Sequence, residues 1–143
     1  ILRALAILEA QPGSSRVPAA YYDGAQIARA RGDFKRAREY AEAARRALRA
    51  PALAVERRIY LGRVLDLVAR LFYEEGEFRA ALAPYIELLE APEGHDFDNS
   101  PVLSVAYANA AEIAGLAGAD DLALRFAAAA RPFVARLGSP EDA

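Results

Sequence analysis

Gly32-Asp33-Phe34-Lys35-Arg36-Ala37, followed by Tyr40 and Ala44, returns as Gly76-Glu77-Phe78-Arg79-Ala80-Ala81, followed by Tyr85 and Leu88. Both stretches read glycine, acid, aromatic, two variable residues, alanine. A weaker copy surrounds Gly118. Asp120 stands there in place of the aromatic, while Ala123 and Ala127 downstream and Tyr107, Ala110, Ala111 and Ala114 upstream keep the other positions. Positions 32 and 76 lie 44 apart and positions 76 and 118 lie 42 apart. Self-similarity at a period of tens of residues marks a chain built by stacking one supersecondary unit.

That unit is helical. Alanine, the best helix former, supplies roughly a quarter of the chain, and β-branched residues are too sparse to furnish strands. Glycine and proline punctuate the helical pattern at Pro12-Gly13, Gly32-Asp33, Pro51, Gly76-Glu77, Pro92 to Pro101, and Gly118 to Asp121. These breakers predict seven helices, at 1–10, 17–31, 34–50, 52–75, 77–90, 101–117 and 120–137, with 92–100 the longest loop. Pro84 and Pro132 fall inside two of them, and each removes a backbone donor, so a bend or break is expected there. In each turn the glycine is free to take the left-handed conformation that ends a helix. Phe34 and Phe78 are expected to plug the space between paired helices, and Ala37 and Ala81 to let the backbones approach.

With these residues in place, the chain resembles the tetratricopeptide repeat family, which has a turn glycine, an aromatic two residues later and small residues at the helix crossing. Its spacing exceeds the usual period of about 34 residues. In this it is similar to the lengthened repeats of kinesin light chains and of bacterial regulatory proteins with helical sensor arms. The resemblance implies an all-α fold, a right-handed α-solenoid of antiparallel helix-turn-helix repeats. It divides a single domain, 1–143, into a partial repeat at 1–16 and helix pairs at 17–51, 52–92 and 101–137.

Composition narrows the function. The 143 residues suit one domain, and no stretch of twenty apolar residues offers a membrane span. Residues 1–8 are apolar, but Arg3 and Glu9 interrupt the run and no small-residue cleavage site follows, so no signal peptide is read there. Without cysteine, disulfides and thiolate metal sites are excluded and the expectation leans to the cytoplasm. A net charge of −2 supplies no field for a polyanion, so nucleic acid is not an expected partner, and without an apolar span neither is a membrane. All but one of the basic residues are arginine, Lys35 being the exception, and threonine, tryptophan and methionine are missing. That skew points to a GC-rich bacterial genome.

In the resembled family the first helix of each repeat lines a concave groove. Carried over by glycine alignment, that groove receives Tyr22, Asp23, Gln26 and Arg29, then Arg63, Asp66, Arg70 and Tyr73, then Asn109 and Glu112. Arginine and tyrosine concentrate in binding hot spots, so this set fits a peptide or protein ligand. Arg63, Asp66 and Arg70 also stand at spacings that allow them to pair along their own helix. The family's carboxylate clamp needs lysines and asparagines, of which only Asn109 is present. The cluster of Arg36, Arg38, Arg45, Arg46, Arg49, Arg57 and Arg58 reads as a charge-laced face, with Glu42 at pair spacing from Arg38, Arg45 and Arg46.

The single histidine, His95, shares a loop with Glu93, Asp96 and Asp98. No second histidine completes a zinc site, and the acids lack the pattern of a calcium loop. Ser100 is expected to cap the next helix and Pro101 to open it. His95 would also have to serve any of five serines as base, without a nucleophile elbow. No catalytic residue, metal ligand or cofactor is therefore expected, and the chain reads as an interaction scaffold, not an enzyme. The alternative reading is a self-assembly module. Leu122, Phe126, Ala129, Phe133 and Leu137 form an apolar stripe on the last helix, and Phe126, Phe133 and Leu137 are its candidate homodimer contacts.

Overall fold

The computed structural model describes residues 16–138. They form an all-α structure of six α-helices: α1 (Arg16–Ala30), α2 (Phe34–Ala47), α3 (Ala54–Glu74), α4 (Phe78–Glu90), α5 (Ser100–Leu116) and α6 (Asp120–Leu137). Three short 3-10 turns join them, at Pro51–Leu53, Pro92–His95 and Phe97–Asn99. No strand occurs among the described residues. The predicted helix at 1–10 lies outside them. The other six were placed by their breakers to within a few residues at each end.

The repeat is visible in the backbone as one turn built three times. Gly32, Gly76 and Gly118 have φ of 78°, 79° and 75°. In each turn the residue after the glycine donates its N–H to a carbonyl five residues back: Asp33 to Ala28 at 2.9 Å, Glu77 to Phe72 at 2.9 Å, Ala119 to Ala114 at 2.8 Å. The carbonyl of that residue then accepts the first helical hydrogen bond of the next helix, from the N–H of Ala37, Ala81 and Ala123. This is a Schellman-type helix end, and it requires a left-handed residue that only glycine supplies without strain. The third copy, degenerate in sequence, is complete in geometry. Gly118→Ala is expected to cost about 1 kcal/mol, seen as a melting temperature lowered by roughly 2 to 5 °C. An unchanged melting point would show that the turn relaxes.

Helices α1 and α2, α3 and α4, and α5 and α6 pack as antiparallel pairs. Adjacent pairs meet through α2 on α3 and α4 on α5, and the first helices also touch, α1 on α3 and α3 on α5. Ala25 and Ala28 on α1 and Ala37, Ala41 and Ala44 on α2 are buried, small enough for the helices to pack closely. Gly62 permits the close approach of α3 to α5, since a Cβ there would sit 3.3 Å from both Leu103 Cδ2 and Val102 Cγ1. Ion pairs tie the first pair to the second. Arg29 Nε donates to Glu74 at 2.9 Å, Arg38 pairs with Glu75 at 2.8 Å while lying 4.4 Å from the Phe72 ring centroid, and Arg45 bridges Glu87 at 2.6 Å and Glu42 at 3.5 Å.

The structure corrects several expectations. Phe34 is 39% exposed and Phe78 only half-buried. Each is the first residue of its helix, just after the turn glycine. The gap between α1 and α2 is filled by Tyr40, whose ring lies 6.2 Å from that of Tyr21 and close over Gly24. Phe78, partly buried, does pack between its paired helices, on Tyr73 of α3 with centroids 5.4 Å apart. Phe126 and Phe133, read as dimer contacts, are 0% and 3% exposed and belong to the interior. Pro84 and Pro132 do not break α4 or α6. The helical donors they remove would have served Ala80 and Ala128, both exposed to solvent, so water can replace them. Arg38 turns to Glu75 and not to Glu42. Ser100 is buried, and its hydroxyl donates to the Phe97 carbonyl instead of accepting as a cap.

Candidate functional site

Helices α3 and α5 leave a cleft of about 370 Å³ between them, lined by Arg70 and Tyr73 from α3 and by Val105, Asn109, Glu112 and Ile113 from α5. Positions 70 and 73 lie one turn apart on α3, and 105, 109 and 112 stand at helical spacing on α5, so each group shares one face. Four of the ten groove residues expected from sequence, Arg70, Tyr73, Asn109 and Glu112, line this one cleft.

A polar network secures its side chains. Tyr85, fully buried on α4, donates its hydroxyl to Asp66 Oδ1 at 2.6 Å, and Asn109 Nδ2 donates to the same oxygen at 3.3 Å. Burial first, and then the facing Asp66 carboxylate, push the Tyr85 phenol well above its ordinary pKa. The hydroxyl thus stays a donor at any physiological pH. Asp66 joins three helices: it stands on α3, takes its strongest bond from α4, and fixes the amide that α5 presents to the cleft. Arg70 forms no ion pair among the described residues, although Asp66 is one turn away. The pairing of Arg63, Asp66 and Arg70 along the helix is not made. Arg63 instead places its guanidinium 5.9 Å from the Tyr60 ring centroid, exposed and outside the cleft.

On α1, Gln26 donates to the Tyr22 hydroxyl at 3.0 Å, Arg29 is held by Glu74, and Asp23 is exposed. The hydrogen bond from Arg29 to Glu74 raises the guanidinium pKa above its ordinary value. None of these α1 residues lines the α3–α5 cleft. Tyr85, Val105 and Ile113 were not among the expected groove residues. Val105, Asn109 and Glu112 do follow one helical row, and that row is the signal that could have found Val105.

The His95 loop has other work. Arg58 donates to Asp96 at 2.6 Å and to Asp98 at 2.7 Å, and Arg57 lies 3.1 Å from Glu93. The bond from Arg58 holds the Asp96 carboxyl below the usual carboxylate range. His95 Nε2 is 2.8 Å from the Leu89 carbonyl, to which it donates. The four candidate ligands are thus divided between α3 arginines and the end of α4. They do not converge on one point.

No family model, curated protein or solved structure matches the chain. No helix among the described residues is long and apolar enough to cross a membrane.

Proposed function

We propose that this chain is a protein-interaction scaffold of the tetratricopeptide type, a right-handed α-solenoid whose first helices α1, α3 and α5 present a groove to a peptide or protein segment. The observation that carries this reading is the α3–α5 cleft. It offers a guanidinium, a phenol, an amide and a carboxylate beside the apolar Val105 and Ile113, on a rigid helical frame. Half-buried Arg70 has no ion-pair partner among the described residues, so a carbonyl or carboxylate from a ligand would satisfy it. The mixture of charged, amide and apolar groups suits a peptide's backbone and side chains together, and arginine and tyrosine are the side chains on which such interfaces depend.

Panning a random-peptide display library on the folded chain supplies the test ligand. A selected peptide is expected to bind at least tenfold more weakly to Arg70→Ala and to Tyr73→Ala, the loss of a central hot-spot side chain. It should bind Arg45→Ala within about twofold of the parent, because a partly exposed ion pair on a second helix contributes mainly to stability. The reverse ranking would move the binding surface to the arginines of α2.

A further inference from the structure

The open side of α6 matches the side from which Arg38 and Arg45 of α2 and Tyr85 of α4 reach the pair that follows them. Leu124 stands six residues after its turn glycine, as Leu82 and Arg38 do after theirs. Leu82 is buried, and Arg38 lies across Phe72 of α3. Ala127 corresponds to Ala41 and Tyr85, both buried, and Val134 to Leu48, also buried. On α6 the same positions are open: Leu124 is 71% exposed, Val134 54%, and Ala127 is exposed. Positions 124, 127, 131 and 134 follow the three-four-three spacing of a helix-pairing seam.

The charges on this seam identify what covers it. Asp120 lies at its start and Arg131 eleven residues on, both exposed and neither in an ion pair among the described residues. A seam with an acid at one end and a base at the other is its own complement about a two-fold axis. We propose that α6 pairs antiparallel with α6 of a second copy of this chain. Asp120 of each copy faces Arg131 of the other, and Leu124 of each packs on Ala127 of the other. Antiparallel helix dipoles add to the attraction. The contact uses Leu124, Ala127, Arg131 and Val134, a face of α6 distinct from the one that buries Phe126 and Phe133. It is independent of the α3–α5 cleft.

Sedimentation equilibrium of the full chain decides the matter. A reversible monomer–dimer equilibrium is expected with Kd on the order of 100 micromolar, since three to four helical turns fall at the low end of interface sizes. Leu124→Glu should abolish it. D120R and R131D should each weaken self-association about tenfold by setting like charges face to face. Mixed in equal amounts, these two variants should pair with each other about as well as the parent chain does, because both ion pairs are then restored. A monomer up to about 0.5 mM, or a mixture no tighter than either variant alone, would overturn the proposal and leave the face to a different helix.

Discussion

Replacing Gly94 with alanine is expected to lower the unfolding free energy by about 3 to 5 kcal/mol, from overpacking against backbone combined with a lost buried hydrogen bond. Gly94 is buried in the 3-10 turn after α4. A Cβ there would lie 1.9 Å from the Leu88 carbonyl oxygen, 2.9 Å from its carbon and 2.7 Å from the Tyr107 hydroxyl. The first two atoms are backbone at the end of α4 and cannot rotate aside. The third belongs to the bond by which Tyr107, fully buried on α5, donates to the Gly94 carbonyl at 2.7 Å. An added methyl would therefore push the turn off both α4 and α5. Tyr107→Phe removes only the hydrogen bond and should cost about 1 to 2 kcal/mol. Urea denaturation of the two variants separates the contributions. Equal midpoints would show that the hydrogen bond, not the packing, holds the turn.

The second large effect is expected on α6. Phe133→Ala and Phe126→Ala should each cost about 3 to 5 kcal/mol, as truncation of large buried aromatics does. Phe133 lies between two rings, 6.0 Å from Tyr107 and 5.4 Å from Phe97, and Phe126 meets Tyr85 edge-on at 6.0 Å. Phe34→Ala should cost less than about 1 kcal/mol, since so exposed a ring loses little contact. Phe133→Glu would bury an unpaired charge and unfold the end of the molecule before it could report on association. Thermal melts of these variants check the ranking. A Phe34 variant as damaged as Phe133→Ala would restore the aromatic of the glycine motif to the interior.

The helix boundaries were legible in the sequence because glycine and proline act locally, through φ and a missing donor. Which face of each helix turns inward was much less so. On α6, Leu124 and Phe126 are both large and apolar, and two helical steps put them on opposite sides. Nothing in their chemistry says that only Phe126 is buried, because the alanines between and around them blur the polar boundary. Register counted from the turn glycine carried more information. Arg70, Tyr73, Asn109 and Glu112 were reached by the glycine alignment, which counts positions from the turn, and they meet in the cleft. The bond from Tyr85 to Asp66 could not be read, since it joins two helices across a turn and Tyr85 reads simply as core. The ion pairs of the His95 loop were hidden likewise, their arginines lying some forty residues upstream.

Pairs α1–α2 and α5–α6 make no extensive contact with each other, and each leans on α3–α4. Tension applied between residues 16 and 138 would therefore be carried in series, as along links of a chain, and not shared across one common shear plane. Extension at constant speed should give separate force peaks, one for each helix pair released. A freed repeat of some forty residues would lengthen the tether by on the order of 130 Å per event.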